Sequence, residues 1–557
     1  MTSIPAPRAT GTQDYNFTRN ATGLVREVSM WDALIMNTLG MNVAVGSVLL
    51  LQQAPAIFPG GNMVLAVIIG TLIMAFTLLW VYAEFAGAMP RSGGDYVFVS
   101  RALHPFLGWL LSWSQGIWLI FFWIGFNAWF ALVSAAPTAM ITIGSVTGSH
   151  GWISAANGLL AKHDFIGIHM QWYVFLFGTV LNVLFALLLI YGGRVYWRVQ
   201  KWLFLIAGLA ILAMVVLLLA RGSGFTSSWD SFAAKNGTLR YGQVVAAAKA
   251  AGFHGATAPF SFSATLLMLP WVFFVVGYAQ GSAQIGGEVK RASRSQYFAM
   301  VGGVLINGLV LAVIVLLATN ALGTTWLRSV DFLAANDPAK LGLPGGLPPG
   351  VNFLTALMTH NIALLALLGV GFVIWALMGT PLSELQATRY MLAWGLDRSA
   401  PQRLGRVSDR LHTPVTAIVF CTVTGELALL ALINVAQASL LGALLAQIGA
   451  FILVSAAGIA FPYRLRSVWE AAGGRRILGV PAVALAGAGG VLTLGALMVL
   501  FLANHSISST FAVTAHLSVE FMLGVVGAGV LWYIGAYLVN RRRGINLNLA
   551  FKEIPPE

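Results

Sequence analysis

The sequence predicts an all-α integral membrane protein, and its composition and its apolar runs lead to that class. Of the 557 residues, 58% are hydrophobic and only 9% are charged, whereas a soluble protein carries roughly 25% charged residues. Apolar runs recur along the chain at about 20 residues, the length that a helix needs to cross the ~30 Å hydrocarbon core. A transmembrane β-barrel would instead show alternating segments of about 10 residues.

We predict twelve transmembrane helices, at 31–57, 63–87, 106–137, 171–191, 202–220, 263–287, 297–321, 357–388, 414–434, 438–462, 477–503 and 516–540. Three of the segments between them are long, 138–170, 221–262 and 322–356, and leave room for short helices.

The formal charge of +13 does not indicate a nucleic-acid partner, because its placement suits a membrane. Most of the 31 Lys and Arg residues fall in the segments that this topology places on one side. The positive-inside rule then predicts cytoplasmic N- and C-termini and a multi-pass protein of the plasma (inner) membrane, embedded in the lipid bilayer.

The first predicted span contains small and polar residues where a lipid-facing helix is apolar: Asn37, Thr38, Gly40, Asn42, Gly46 and Ser47. An interruption there would free backbone N–H groups at a half-helix N-terminus, where a carboxylate can bind. The alternative is an unbroken helix whose small residues pack closely against a neighbour.

The sixth predicted span shows a similar disruption. Leu266–Lys290 begins as an apolar helix and loses its hydrophobicity at 277–282, about halfway across. A broken helix in lipid is tolerated only against protein or a water-filled cavity. Interrupted helices in corresponding positions of two halves are typical of secondary transporters, which bind small polar solutes near the midplane.

Four strings then resemble the amino acid–polyamine–organocation (APC) transporter superfamily. After Glu84 comes a P-R-x-G-G-x-Y stretch formed by Pro90, Arg91, Gly93, Gly94 and Tyr96. The other three strings are Gly23–Ala33 (GLVREVSMWDA), Gly286–Arg294 (GGEVKRASR) and Gln386–Ile418, in which Arg389, Asp397, Pro401 and Pro414 fall at the family's spacing.

The resemblance implies the leucine-transporter fold: two inverted five-helix repeats with helices 1 and 6 broken, followed by two extra helices. The corresponding organisation is a cytoplasmic N-terminal tail at 1–28, a first repeat at 29–220, an extracytoplasmic loop at 221–262, a second repeat at 263–462, helices 11 and 12 at 463–540 and a cytoplasmic tail at 541–557.

The resemblance also implies a substrate held between the two breaks, with its α-carboxylate on free amides of helix 1 and its ammonium on carbonyls of helix 6. Carried over to this sequence, the substrate-binding residues are Asn42, Val43, Gly46, Ser47, Phe274, Gly277, Tyr278 and Gln280. A zwitterion needs both charges met, because desolvating an ion costs several kcal/mol.

Two departures from the family concern the coupling ion. A family lysine in the fifth span aligns near Ala207, and Lys201 lies about two turns earlier. The usual sodium position in the eighth span aligns with Met378 and Gly379 rather than with a Ser/Thr pair.

Glu384 is the residue that we consider for proton coupling. A carboxylate inside a span is costly, and such groups mark functional sites by default. The alternative is that Glu384 lies within a turn of the cytoplasm and pairs with a loop arginine. The histidines are scattered without metal-ligand spacing, so we expect no metal site and no cofactor.

The sequence therefore predicts an amino acid permease that works by alternating access, by proton symport or by exchange. Its small-molecule substrate would be an amino acid or related amine, with H⁺ or Na⁺ as a co-ion. A polyamine or organocation carrier of the same fold is the alternative. An intramembrane enzyme would need paired His, Asp or Glu at one depth, which the sequence does not offer.

Overall fold

The computed structural model describes residues 23–118, 123–435, 444–547 and Phe551. Its helices are α1 Met30–Met41, α2 Val43–Ile57, α3 Met63–Phe76, α4 Leu78–Ala88, α5 Asp95–Ala102, α6 Pro105–Trp118, α7 Gly125–Phe130, α8 Ala136–Thr147, α9 His150–Leu160, α10 Trp172–Ile190, α11 Gly193–Arg221, α12 Phe225–Asn236, α13 Tyr241–Ala250, α14 Phe262–Leu267, α15 Leu269–Val276, α16 Gly281–Gln284, α17 Ala292–Tyr297, α18 Gly303–Leu322, α19 Thr324–Asn336, α20 Pro338–Leu341, α21 Val351–Ala356, α22 Ile362–Leu377, α23 Gly379–Leu396, α24 Val415–Asn434, α25 Leu444–Arg464, α26 Arg466–Ala471, α27 Ala482–Ala503, α28 His505–Thr510 and α29 His516–Arg542.

Two short antiparallel hairpins complete the regular structure. The first pairs β1 His163–Phe165 with β2 Ile168–Met170, and the second pairs β3 Arg476–Ile477 with β4 Val480–Pro481. Single π-helical turns join α7 to α8 and α17 to α18.

Within the described residues, 11 helical segments are long and apolar enough to cross a membrane. The chain is therefore a multi-pass membrane protein. The segment at the sixth predicted span, Phe262–Val276, is shorter. The predicted spans 106–137 and 438–462 include residues outside the described ranges, and the count of twelve and the inverted repeat stay predictions.

Two helices extend further than the apolar pattern predicts. Helix α11 begins at Gly193, nine residues before the predicted start of its span. The apolar pattern did not include these first turns because they carry the charged residues Arg194, Arg198 and Lys201. Helix α8 continues to Thr147, beyond the predicted end of the third span. In both places the helix continues past the apolar stretch from which we drew the span. The three long connecting segments do contain short helices, as expected.

Local capping explains where the first span begins. The Ser29 hydroxyl accepts from Asp32 N at 3.2 Å, and the Asp32 carboxylate accepts from Ser29 N at 3.1 Å, which completes a capping box. These bonds satisfy N–H groups that a helix start otherwise leaves unpaired.

The outer faces of the helices are apolar. On α10, for example, Leu176, Phe177, Val180 and Leu184 are exposed. A row of exposed large apolar side chains is expected where a helix faces lipid. The buried side is packed with aromatic rings, such as the stacked pair Phe85–Phe98 with ring centroids 5.0 Å apart.

Candidate functional site

The first membrane span is interrupted at one residue, Asn42. Helix α1 ends there because Asn42 has a φ of 50° and a ψ of 58°, the left-handed conformation, which a right-handed helix cannot contain. Both polar atoms of its side chain stabilise the break. Oδ1 accepts from Val45 N at 3.3 Å, and Nδ2 donates to Trp375 O of α22 at 3.1 Å. Helix α2 therefore begins inside the protein.

The sixth span is interrupted over four residues. Helix α15 ends at Val276, with Gly277 N donating to Phe273 O at 2.8 Å, and α16 begins only at Gly281. The turn 277–280 lies between them. Its carbonyl groups follow the C-terminus of α15, where a helix carries partial negative charge.

The two breaks approach each other closely, and glycines permit the approach. A Cβ on Gly46 would lie 2.3 Å from Val275 Cγ2, and a Cβ on Gly40 would lie 3.1 Å from Tyr278 O. The first span is therefore interrupted, and its small residues also pack closely against the sixth span; the unbroken helix of the alternative interpretation does not occur.

A polar contact joins the N-terminal half of the first span to the C-terminal half of the sixth span. Asn37 Oδ1 accepts from Ser282 N and Asn37 Nδ2 donates to Ser282 Oγ, both at 2.9 Å. Asn37 and Ser282 are fully buried. The contact satisfies the Ser282 N–H in the first turn of α16, so this N–H is not available to a ligand.

A cavity lies between the breaks, and we call it the central cavity. Its volume is about 180 Å³, more than ten times the roughly 10–15 Å³ that one water needs. It is lined by Leu39, Gly40, Met41, Asn42, Val45, Gly46, Leu49, Gln115, Trp123, Phe126, Asn127, Phe130, Phe274, Tyr278, Gln280, Gln284, Gly379, Leu382, Ser383, Gln386, Tyr390 and Gln447.

Aromatic rings form one wall of the central cavity. Trp123 packs edge-on against Tyr278, with centroids 5.8 Å apart, and lies 6.4 Å from Phe274. Phe126 and Phe130 continue the wall as a stacked pair at 5.7 Å. Such a wall suits the apolar part of a small ligand.

The polar part of the lining is uncharged. Among the described lining residues there is no Asp, Glu, Lys or Arg. The polar groups are mainly carboxamides, and two amide atoms, Gln280 Oε1 and Gln447 Nε2, are buried without a hydrogen-bond partner in the described structure. An unpaired buried amide costs about 1–3 kcal/mol, so a ligand that bonds to these atoms would recover that free energy.

Of the residues predicted to bind substrate, five line the central cavity: Asn42, Gly46, Phe274, Tyr278 and Gln280. The other three, Val43, Ser47 and Gly277, are not among its lining residues. Ser47 is fully buried, and its hydroxyl donates to Ala44 O at 2.8 Å. Whether these residues bind substrate stays a prediction.

Sequence reasoning missed the wall opposite the breaks, which comes from the third, eighth and tenth spans. Its polar members are Gln115, Asn127, Ser383, Gln386, Tyr390 and Gln447. An amide inside an apolar span was the available signal, because such groups turn away from lipid. The sequence does not say which neighbour they face.

Glu384 is buried but does not line the central cavity. Its Oε1 accepts from Thr422 of α24 at 2.8 Å. In the described structure the side chain is thus directed at the ninth span and not at a loop arginine, which was the alternative. Its role in coupling stays a prediction.

A second cavity, of about 270 Å³, lies near the start of α1, and we call it the N-terminal-side cavity. Its lining includes Glu27, Arg194, Glu288 and Arg389. Arg389 forms a buried two-pronged ion pair with Glu288 at 2.8 and 2.9 Å. The pair Arg194–Glu27, at 2.8 Å, is largely exposed on its arginine side.

Main-chain bonds and a further ion pair close the same side. Val28 N donates to Glu288 O at 3.0 Å, and Lys290 N donates to Val28 O at 2.9 Å, so the chain before α1 pairs with the chain after α16. Lys201 of α11 forms an ion pair with Asp32 at 2.8 Å.

With this geometry established, comparison with known proteins adds one match. The model of the family described as "Amino acid permease" matches residues 28–526, which include both breaks, the central cavity and nearly all of the membrane helices. A search of curated proteins finds no match.

Proposed function

Because the chain belongs to the amino acid permease family, we propose that it is a secondary active transporter that moves amino acids across the plasma membrane by alternating access. Transport is driven by proton symport or by exchange. The observation that carries the proposal is the uncharged central cavity between two interrupted helices.

The two breaks can meet both charges of a zwitterion. The N-terminus of α2 offers partial positive charge to the α-carboxylate near Val43–Gly46. The C-terminus of α15 and the turn 277–280 offer carbonyl groups to the ammonium. Because the dipoles are part of the backbone, the net-neutral ligand needs no buried charged side chain.

Side-chain contacts would then orient the rest of the substrate. The aromatic rings of Phe274 and Tyr278 cover its apolar part, and the Gln280 amide bonds to polar groups. Asn42 fixes the break itself through its bonds to Val45 and Trp375. A ligand with a third charge would meet no counterion in the described lining.

A polyamine or organocation carrier is the alternative within the same fold. It would require carboxylates around the cavity to compensate a cation of net positive charge. The described lining carries none, which favours amino acids over amines.

Access from the side with the N-terminal segment requires the contacts of the N-terminal-side cavity to separate. We assign this side to the cytoplasm, with both termini, from the positions of the basic residues. Opening would break the Val28–Val289 bridge and the ion pairs around it.

Counterflow into proteoliposomes tests the proposed function. Purified protein is reconstituted with unlabelled amino acids inside, and each proteinogenic amino acid is offered outside in radiolabelled form. We expect saturable exchange of one or more neutral amino acids and no exchange of putrescine. Exchange of putrescine without any amino acid would favour the alternative.

Imposed gradients then identify the co-ion. A pH gradient, inside alkaline, should drive accumulation if protons are coupled, and a Na⁺ gradient at equal pH should not. If Glu384 takes part, Glu384→Gln abolishes the pH-driven uptake and spares exchange. Unchanged driven uptake would discard Glu384.

A further inference from the structure

A buried carboxylate outside the membrane spans, Asp95, lies directly beside the sixth-span break. The loop before it reaches the break because it ends in two glycines. Gly93 N donates to Gln284 O at 2.9 Å. Gly94 has a φ of 41°, and a Cβ there would lie 2.8 Å from the Ala283 carbonyl. Only glycine permits this approach, and Asp95 follows it as the first residue of α5.

Two tyrosines from different helices hold the carboxylate. Tyr82 of α4 donates its hydroxyl to Asp95 Oδ2, and Tyr390 of α23 donates to Oδ1, both at 2.7 Å. Asp95 is 1% exposed. Tyr390 also lines the central cavity, so a single hydrogen bond separates the carboxylate from a cavity-lining group.

The neighbouring amide of Gln284 also lines the cavity. Its Nε2 donates to Gly281 O at 2.9 Å and to Gln280 O at 3.0 Å, and its Oε1 accepts from Tyr390 Oη at 3.2 Å. The reverse orientation would place Oε1 against those two carbonyl oxygens, which cannot donate to it.

We propose that Asp95 is the proton-binding site of the transport cycle and that Tyr390 and Gln284 relay its protonation state to the sixth-span break. The inference rests on the proposed function, since it assigns the coupling proton to a group beside the proposed substrate site. Glu384, by contrast, contacts the ninth span and not the cavity lining.

The hydrogen bonds balance in both states. When Asp95 is ionised, the Tyr390 hydroxyl donates to Oδ1. When a proton binds Oδ1, the new O–H donates to Tyr390 Oη, and the Tyr390 hydroxyl turns and donates to Gln284 Oε1. One proton is gained, no bond between heavy atoms forms or breaks, and the Gln284 amide keeps its orientation.

The change at Tyr390 alters what the Gln284 amide presents to the break. Its Nε2 donates to the Gln280 carbonyl, which belongs to the turn that we assign to the substrate ammonium. A hydroxyl that donates to Oε1 polarises the amide and strengthens this bond, which competes with an ammonium for the carbonyl oxygen. Protonation and substrate binding therefore influence each other's free energy, which is what coupling requires.

The electrostatic setting supports titration within the physiological range. Burial raises the pKa of Asp95 to about 6, although hydrogen bonds from Tyr390, Tyr82 and the Tyr96 amide act in the opposite direction. Three arginines on α5 and the elements next to it have partners of their own in the described structure.

Those paired groups come from the elements packed against α5. On α5 itself, Arg101 forms a buried ion pair with Asp397 at 2.8 Å. From α23, Arg389 pairs with Glu288. From α25, Arg464 donates to Ala102 O at 3.2 Å, at the far end of α5. Asp397 and Glu288 are thus paired with arginines, whereas the hydrogen-bond donors to the Asp95 carboxylate are neutral.

The test compares exchange with pH-driven accumulation in proteoliposomes, using the radiolabelled amino acid that the wild-type protein exchanges fastest. Asp95→Asn removes the titration and keeps the size and hydrogen bonding of the side chain. We expect it to exchange at a rate near wild type and to lose accumulation driven by an inside-alkaline pH gradient. Asp409→Asn, in an exposed loop position, is the matched control and should change neither.

Tyr82→Phe supplies a second readout that a purely structural role would not move. Tyr82 does not line the cavity, and its hydroxyl stabilises the ionised form of Asp95. Its loss should shift the pH midpoint of substrate binding upward by about one unit, since a hydrogen bond to a charged group contributes roughly 1.5–3 kcal/mol.

The outcomes separate this inference from the proposed function. If the wild type exchanges no amino acid, the proposed function fails. If the wild type exchanges amino acids but is not driven by a pH gradient, or if Asp95→Asn still accumulates them, the inference is overturned and the transporter assignment stands. A Tyr82→Phe midpoint that stays in place or moves downward also overturns it.

Discussion

The central cavity and the N-terminal-side cavity lie in the same helical bundle, but their chemistry is opposite. The described lining of the central cavity has no charged side chain, whereas the second cavity contains Glu27, Arg194, Glu288 and Arg389. The first therefore offers backbone dipoles and amides to a ligand. In the second, the charged side chains form ion pairs with one another.

The difference supports our proposal that the central cavity binds substrate and that the contacts around the N-terminal-side cavity close the path. A net-neutral zwitterion leaves no charge unpaired when it departs from a site built of dipoles, so binding and release stay balanced. Ion pairs hold a closed interface in place and are replaced by hydrated charges when water enters. The four predictions below test this division, from the largest expected effect to the smallest.

The largest effect is expected from Gly46→Ala. The new Cβ would lie 2.3 Å from Cγ2, 2.7 Å from Cγ1 and 3.0 Å from Cβ of Val275. Because a β-branched side chain has little rotamer freedom, the two broken helices must separate. We expect exchange to fall to the background of protein-free liposomes.

Gly495→Ala is the control for that substitution, since nothing lies within 4 Å of a Cβ at Gly495 in α27. It should transport like the wild type. Equal activity of the two alanine variants would show that the spacing of the breaks does not matter.

The second prediction concerns the closed side. Glu288→Gln leaves the buried Arg389 without its carboxylate, and removing one partner of a buried pair costs about 3–5 kcal/mol. Glu27→Gln breaks a pair whose arginine side chain is 84% exposed, which contributes about 0–1 kcal/mol. Thermal melting of the purified variants should show a large fall for the first and little change for the second. Similar melting points for the two variants would contradict the conclusion that the buried pair Arg389–Glu288 stabilises the closed side more than the exposed pair Arg194–Glu27 does.

The third prediction returns to the central cavity. Gln447→Met replaces an amide whose Nε2 has no hydrogen-bond partner in the described structure with an apolar side chain of similar length. Removing an unsatisfied buried donor should raise the melting temperature of the ligand-free protein, by the equivalent of about 1–3 kcal/mol. The additional rise on adding the transported amino acid should shrink. A larger ligand-induced rise would exclude Gln447 from binding.

The smallest effect is expected at the ion pair Lys201–Asp32. The lysine side chain is 50% exposed, so its loss in Lys201→Met should cost about 0–1 kcal/mol, and less in high salt. Melting curves at low and high NaCl measure this. A large loss of unfolding free energy that does not depend on salt would contradict this expectation and indicate that the pair behaves as a buried one.

The sequence predicted the breaks because polar and small residues inside an apolar run have few explanations in lipid. Asn42 and the stretch 277–280 are where the helices end. The membrane class followed from composition for the same reason. The family strings around Gly93 and Arg389 located the loops that pack against the broken helices.

The wall of the central cavity opposite the breaks could not be predicted from the sequence, for a physical reason. Gln115, Asn127 and Gln447 are readable as residues that avoid lipid, but periodicity does not tell which helix they face. Asp95 was hidden because its motif predicts only a chain reversal. The contact with Tyr82 and Tyr390 exists only after three distant segments pack together.

The most direct test of the account is an experimental structure of the protein with its transported amino acid bound. We expect the ligand between the two breaks, with its carboxylate at the N-terminus of α2 and its ammonium on the carbonyls of 277–280. A ligand bound beside Glu288 and Arg389 in the N-terminal-side cavity, with the space between the breaks empty, would contradict the account.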